Sequence, residues 1–244
     1  MAFLRNWPTV ETNGLVLIWH HAEKLAPEWT PISLPEVNNG QWVYQGRNEY
    51  HVSCHIQDIP ENGADPEHLK AVHECPILSG GEPSFWTEWL SKWTWHEWGI
   101  DWRPLEGEGQ SHRAVVELRH SMTVMGKLEL FSLNIRGDQM GPSLVHLEMT
   151  SCMGRGVIVQ YVLPMEPMIQ KVVHLLYTER SWYAPYAKLV LWGESILFER
   201  DVRVWNSKTY VDKPIASAED KLLLKASFAF PASLKKASKM RDRN

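Results

Sequence analysis

The sequence predicts an α+β fold of helix-grip type, a curved antiparallel sheet wrapped on a long C-terminal helix and preceded by a β-hairpin. Three observations predict it. Between residues 110 and 178 lie five β-patterned runs: Arg113–Arg119, Lys127–Ile135, Leu144–Thr150, Val157–Leu163 and Met168–Tyr177. Short runs of this kind, separated by turn material, form an antiparallel meander. Residues 184–206 then read as one long helix, with Tyr186, Leu189, Val190, Ile196 and Leu197 as candidate core positions. Near the start, residues 7–21 place Asn13-Gly14 between two apolar runs, the strongest short-range hairpin signal.

The elements follow in order. Residues 1–25 hold the hairpin, and 26–41 form a connector containing Pro, Asn and Gly. A strand is expected over 42–57, with Val52, Cys54 and Ile56 on one face and His51, Ser53, His55 and Gln57 on the other. Pro60-Glu61-Asn62-Gly63 then turns the chain. Within the meander, turns are expected at Arg136-Gly137-Asp138, Gly154-Arg155-Gly156 and Pro164-Met165-Glu166-Pro167. The organisation is thus 1–25, a main domain over 26–231, and a basic, polar tail over 232–244 expected to be disordered.

Composition narrows the class. The chain has 244 residues, 44% of them hydrophobic, and a net charge of −4. It is large enough for one substantial domain, and its charge does not suit a nucleic-acid partner. Three cysteines without an even, spaced set argue for a reducing compartment rather than a disulfide scaffold. No apolar run approaches membrane-spanning length; Leu15–Trp19 and Lys188–Trp192 are core-length pieces. No signal peptide is evident. The expected location is intracellular.

Chemistry is concentrated in residues 62–73, Asn-Gly-Ala-Asp-Pro-Glu-His-Leu-Lys-Ala-Val-His. Asp65, His68 and His73 stand in an Asp-x2-His-x4-His arrangement behind the turn, with Pro66 suited to a first helical turn and Asp65 to its cap. Two imidazoles this close, joined by a carboxylate from elsewhere, make the ligand set of a mononuclear non-haem iron(II) site. On a regular α-helix His68 and His73 lie roughly 140° apart, so the helix is expected to distort or to end between them. Asp65 and His68, at i and i+3, share a face. Spacing alone leaves Asp201, Glu194, Glu199 and Asp212 all open as the third ligand, and Asp201 could equally be a surface carboxylate paired with Arg200 or Arg203.

The run His55-Ile56-Gln57-Asp58-Ile59-Pro60-Glu61-Asn62-Gly63-Ala64-Asp65, followed by His68 and His73, resembles the catalytic segment of Rieske-type non-haem iron oxygenases. Within them it is most similar to the Neverland-type cholesterol 7-desaturases, and more distantly to the 3-ketosteroid 9α-hydroxylase oxygenase component. A second likeness lies at Phe198-Glu199-Arg200-Asp201-Val202-Arg203-Val204-Trp205. The resemblance runs from about residue 7 to about 215. It implies His68, His73 and Asp201 as a two-His-one-carboxylate triad for Fe(2+). It implies Asp65 as the residue that hydrogen-bonds a ligand histidine and relays the electron. The implied chemistry is oxidation of cholesterol to 7-dehydrocholesterol with O2 as co-substrate, in a START-like helix-grip domain enclosing a deep apolar cavity.

The same family carries a 2Fe-2S cluster on Cys-x-His and Cys-x2-His, two thiolates and two imidazoles. None of Cys54, Cys75 and Cys152 is followed by His at the second or third position, so these residues cannot bind that cluster. Residues 7–21 resemble the last hairpin of a Rieske domain, and the chain reads as a truncated form of a longer oxygenase. The resemblance implies a homotrimer or a mixed trimer with a full-length partner, and a ferredoxin or reductase drawing on NAD(P)H. The alternative is a non-catalytic sterol-binding or dominant-negative isoform. A metal-free lipid carrier of helix-grip type is a third reading.

Other features are ambiguous as residues alone. Trp86, Trp89, Trp93, Trp95, Trp98 and Trp102 fall within 17 residues, and either line a substrate entrance or cover the edge of the sheet. Met122, Met125, Met149 and Met153 suit lining or filling equally. His55 reads as a hydrogen-bonded strand histidine.

Overall fold

The computed structural model describes residues 6–21, 23–73, 93–125, 127–180 and 184–210. The first hairpin forms as expected, β1 (Thr9–Thr12) pairing with β2 (Leu15–Ile18). Its turn residues Asn13 and Gly14 have φ of 55° and 74°, the left-handed pair that a two-residue hairpin of matching twist requires. A Cβ on Gly14 would also run into the Tyr177 hydroxyl. The connector contains one helical turn, α1 (Pro35–Asn38).

Seven strands make the main sheet: β3 (Trp42–Val52), β4 (Thr94–Pro104), β5 (Arg113–Val124), β6 (Leu128–Met140), β7 (Leu144–Ser151), β8 (Gly154–Glu166) and β9 (Ile169–Glu179). Their order is β3-β9-β8-β7-β6-β5-β4 with every neighbouring pair antiparallel. The meander is therefore continuous, and β3 closes it by returning beside the last strand. Three short helical pieces, α2 (Asp58–Glu61), a 3-10 turn (Asn62–Ala64) and α3 (Pro66–His73), follow β3, and α4 (Ala184–Asn206) follows β9.

Both faces of the sheet are covered. On the concave face the first half of α4 packs Ala187 and Leu191 on Leu133, Met149, Ile158 and Leu176. Its second half packs Phe198 and Trp205 on Val52, Cys54, Val162 and Val172. On the other face, the hairpin and connector bring Leu15, Leu17, Trp29 and Leu34 onto Met140, Leu144, Val159 and Val173. Each fully buried side chain of this size contributes about 1.5–3 kcal/mol, so α4 is fixed chiefly by its apolar stripe. Gly46 lets it come close. A Cβ there would lie 3.1 Å from Leu191 Cδ2, and the residue has a φ of 145° at a bulge in β3.

Polar contacts set the register of α4. Glu194 Oε1 lies 2.6 Å from His174 Nδ1, His174 Nε2 lies 2.9 Å from Gln160 Oε1, and Asn48 Nδ2 donates to Glu194 Oε2 at 2.7 Å. One helical carboxylate thus joins three strands of the sheet.

Several expectations need correction. The strand expected over 42–57 ends at Val52, because the His55 N–H turns to the Asp58 carboxylate at 2.9 Å. Asn62-Gly63 forms a 3-10 turn. Arg136-Gly137-Asp138 lies inside β6, and Gly137 is there because a Cβ would press on Leu147 and Val116 at 3.2 and 3.3 Å. Gly154-Arg155-Gly156 opens β8 rather than forming a turn. Leu189 is exposed, not core. Strand β4 was not anticipated, although Trp98, Ile100 and Trp102 recur at a period of two with Glu97, Gly99 and Asp101 between and before them. It is an edge strand, so its tryptophans do cover the sheet margin; Trp102 is buried and Trp93 exposed. Met149 is core filler, whereas Met125 is exposed. Trp86, Trp89, Cys75, Asp212 and the tail over 232–244 fall outside the described residues. Among those residues no helix is long and apolar enough to cross a membrane.

Candidate metal centre

The centre is built where α3 meets α4. Asp65 caps α3: its Oδ1 accepts the backbone N–H of Glu67 at 3.0 Å and of His68 at 3.2 Å. Its own carbonyl oxygen lies 2.5 Å from His68 Nδ1. A ring nitrogen committed to a carbonyl fixes the tautomer and leaves Nε2 as the free donor atom, the usual arrangement behind a metal-binding imidazole. Burial, opposed by Asp201, pushes the His68 pKa below its ordinary value, which keeps the ring neutral and able to ligate.

His73 is the last residue of α3 and is buried. The helix therefore runs through both histidines and does not end between them. The imidazoles meet nonetheless, with ring centroids 5.3 Å apart and nearly perpendicular. Helical side chains lean toward the N-terminus, so the ring of His73 swings back over the turn that carries His68. Reach compensates for the unfavourable azimuth.

Asp201 arrives from α4, and its Oδ1 stands 3.0 Å from His73 Nε2. Its neighbour Arg200 is buried and reaches across to the carbonyl of Val72 at 3.5 Å. Consecutive residues of α4 thus hold the end of α3 by its backbone and by its last side chain. His68, His73 and Asp201 offer three donor atoms within 4.8 Å of one another. Two donors about 2.1 Å from one octahedral ion and at right angles would sit about 3.0 Å apart, which is the His73–Asp201 separation. Two imidazole nitrogens and one carboxylate oxygen also suit iron(II).

The two rival carboxylates among the described residues are elsewhere. Glu194 is engaged with His174 and Asn48, and Glu199 is exposed. His55 binds through its backbone to Asp58 and Tyr210.

Sequence reasoning missed three parts of this region. The buried Asp58 carboxylate accepts from Lys208 Nζ at 2.6 Å and from the Tyr210 hydroxyl, so the segment after α4 is latched to the start of α2. Some 150 residues separate these partners, and no local pattern could announce them. Cys54 sits beside this latch; burial above all, with Asp58 adding to it, pushes its thiol up to about 12, so it is not a thiolate ligand. Third, His96 and His120 on β4 and β5 form a hydrogen-bonded pair next to Trp98, which faces His73.

Two concavities are formed by the described residues. One, of about 620 Å³, is open and polar, and is lined by Glu97, Arg119 and Glu129 together with Trp98 and His120, the residues next to His73. The other lies along the hairpin at Glu11, Asn38 and Tyr177. Neither is an enclosed apolar chamber.

Residues 18–226 match the family described as 3-Ketosteroid 9alpha-hydroxylase C-terminal domain. The chain belongs to that family. It is 39% identical over 224 residues to the Drosophila melanogaster protein named cholesterol 7-desaturase nvd, covering 89% of this chain and 50% of that one. Identity to the Xenopus laevis protein of the same name is 37%, covering 92% and 50%. A probable 3-ketosteroid-9-alpha-monooxygenase oxygenase component from Rhodococcus rhodochrous is 23% identical, covering 90% and 54%. The chain thus spans about half the length of the curated relatives it matches. Among solved structures, dicamba monooxygenase bound to dicamba is similar in fold, with a TM-score of 0.62 at 14% identity, covering 98% of this chain and 71% of that one. The helix-grip sheet and long helix of this 3-ketosteroid 9alpha-hydroxylase C-terminal domain are therefore an oxygenase fold.

Proposed function

We propose that this chain is the iron-bearing part of a Rieske-type sterol oxidoreductase acting as a cholesterol 7-desaturase, with His68, His73 and Asp201 as ligands of Fe(2+). The observation that supports it most is the convergence of those three donors within 4.8 Å, from two helices far apart in sequence. The names of the curated relatives supply the substrate class. Iron held on one face by two imidazoles and a carboxylate supplies a place to bind and activate O2. Around it, the Asp65 carbonyl orients His68, and burial keeps that ring neutral. The Asp65 carboxylate takes the second role, passing the electron toward His68.

The 2Fe-2S ligand motif does not occur in these 244 residues, so the electrons come from a cluster outside them. We place that cluster on a full-length partner in a homotrimer or mixed trimer, fed by a ferredoxin or reductase using NAD(P)H. The location that fits is the cytoplasm or the periphery of the endoplasmic reticulum. The missing motif also favours a second reading, in which the chain binds sterol and damps the full-length enzyme.

The test is iron content after anaerobic Fe(2+) loading, paired with single-turnover conversion of cholesterol using a supplied Rieske-domain donor. One iron per chain with 7-dehydrocholesterol formed is the expected result. One iron without product selects the second reading, and no iron overturns the assignment of the iron centre.

A further inference from the structure

Beside the triad, three buried ring nitrogens have no hydrogen-bond partner: His73 Nδ1, Trp98 Nε1 and His96 Nε2. They belong to one line of ring contacts. Trp98 lies 6.1 Å from His73 and stacks on His120 at 4.0 Å. His120 Nε2 in turn lies 2.8 Å from His96 Nδ1, the two imidazoles being nearly parallel. Buried polar atoms are almost always paired, by protein or by ordered water. A group of three along one wall, next to a candidate metal centre, calls for an occupant rather than for three separate accidents.

The chemistry of the wall says what kind. A neutral imidazole has one donor and one acceptor, and an indole one donor. Burial, then the positive charge of Arg200, pushes the His96 pKa down to about 4. That ring is therefore neutral at physiological pH and offers its Nε2 without charge. Trp98 adds a flat apolar surface beside them. An ionised ligand would lose its hydration here with no counter-charge from these three residues, and the nearby buried Arg200 is engaged with the Val72 carbonyl. A hydroxyl, which donates once and accepts twice, matches them.

We propose that His96 and Trp98, with His120 holding the His96 ring, form a hydrogen-bonding subsite for an uncharged hydroxyl group beside the His68–His73–Asp201 triad. The hydroxyl comes from an ordered water in the resting protein and from the alcohol of the substrate when it binds; the second part rests on the sterol reading. The pair then selects a flat, apolar molecule bearing one neutral hydroxyl over the same skeleton without it.

The experiment compares cholesterol with its 3-deoxy analogue for equilibrium binding to the iron-loaded chain. It also takes crystal structures with and without cholesterol. The unsubstituted protein is expected to prefer cholesterol about tenfold, the size of one hydrogen bond lost from a buried pair. In His96→Phe, which keeps a ring and removes the nitrogens, the preference falls to within about twofold while affinity for the deoxy analogue is retained. His96→Gln restores most of it. If His96→Phe does not fold, Trp98→Phe, which deletes only the indole N–H and some ring area, is read instead. An unchanged preference in the folded variants overturns the proposal. Should the protein bind neither sterol, the sterol reading fails by itself: a water within hydrogen-bond distance of His96 Nε2 then sustains the subsite, and none there overturns it as well.

Discussion

At the residue scale, the centre depends on a division of labour within Asp65. Its carboxylate caps α3 while its carbonyl holds His68 Nδ1. Asn caps a helix about as well as Asp, so Asp65→Asn should keep the fold and the iron but lose most turnover in a complemented trimer. Unchanged turnover would remove Asp65 from the electron path. His68→Ala and His73→Ala each leave two protein donors, and iron affinity should drop by at least ~100-fold, measured as metal retained after desalting. Stoichiometric iron in either variant would end the assignment. Asp201→Ala should weaken iron far more than Glu199→Ala, since Asp201 faces His73 and Glu199 is exposed. Equal losses would reopen the choice of carboxylate. These residues were legible in the sequence because Asp-x2-His-x4-His is local. Asp201 was legible only through resemblance, as spacing could not rank it above Glu194, Glu199 or Asp212.

At the element scale, α4 is the part that turns a sheet into a site. Phe198 packs against Tyr50, His174 and Trp205, with centroids 4.5, 4.7 and 5.5 Å away. It stands one turn before Asp201 on the same helix. Phe198→Ala should cost about 3–5 kcal/mol in urea unfolding, and should weaken iron as well because the helix loses its seat. A loss near zero would mean that α4 is held by its polar contacts alone. The helix and the five meander strands were legible from periodicity. β4 was overlooked because it lies in a tryptophan-rich stretch read only as substrate lining or sheet cover, although Trp98 and Trp102 share one face of the strand. The turn expected at Gly137 failed for a different reason: glycine there serves close packing between strands.

At the scale of the whole molecule, buried neutral histidines link the fold to pH. His96, His120 and His146 are all buried, with pKa values pushed down to about 4, about 3 and about 4, burial being the first cause in each. Unfolded histidine titrates near 6.5. As pH falls below that value the unfolded chain takes up protons first, so their stabilisation is complete above about pH 6.5 and is lost on descent toward the folded values. Each group should contribute up to ~1.4 kcal/mol per pH unit in this window. Urea unfolding between pH 7.5 and 5 should show the decline, and a flat profile would mean that these rings are not buried neutral. What the sequence alone determined was the class of fold, from hydrophobic period and turn chemistry, and the α3 half of the centre, because a short motif folds as one local unit. Only the tertiary structure decided which carboxylate meets the histidines, that Asp58 latches Lys208 and Tyr210, and that His96, His120 and Trp98 stand beside the triad. Those partners lie on different elements, and register, crossing and packing bring them together.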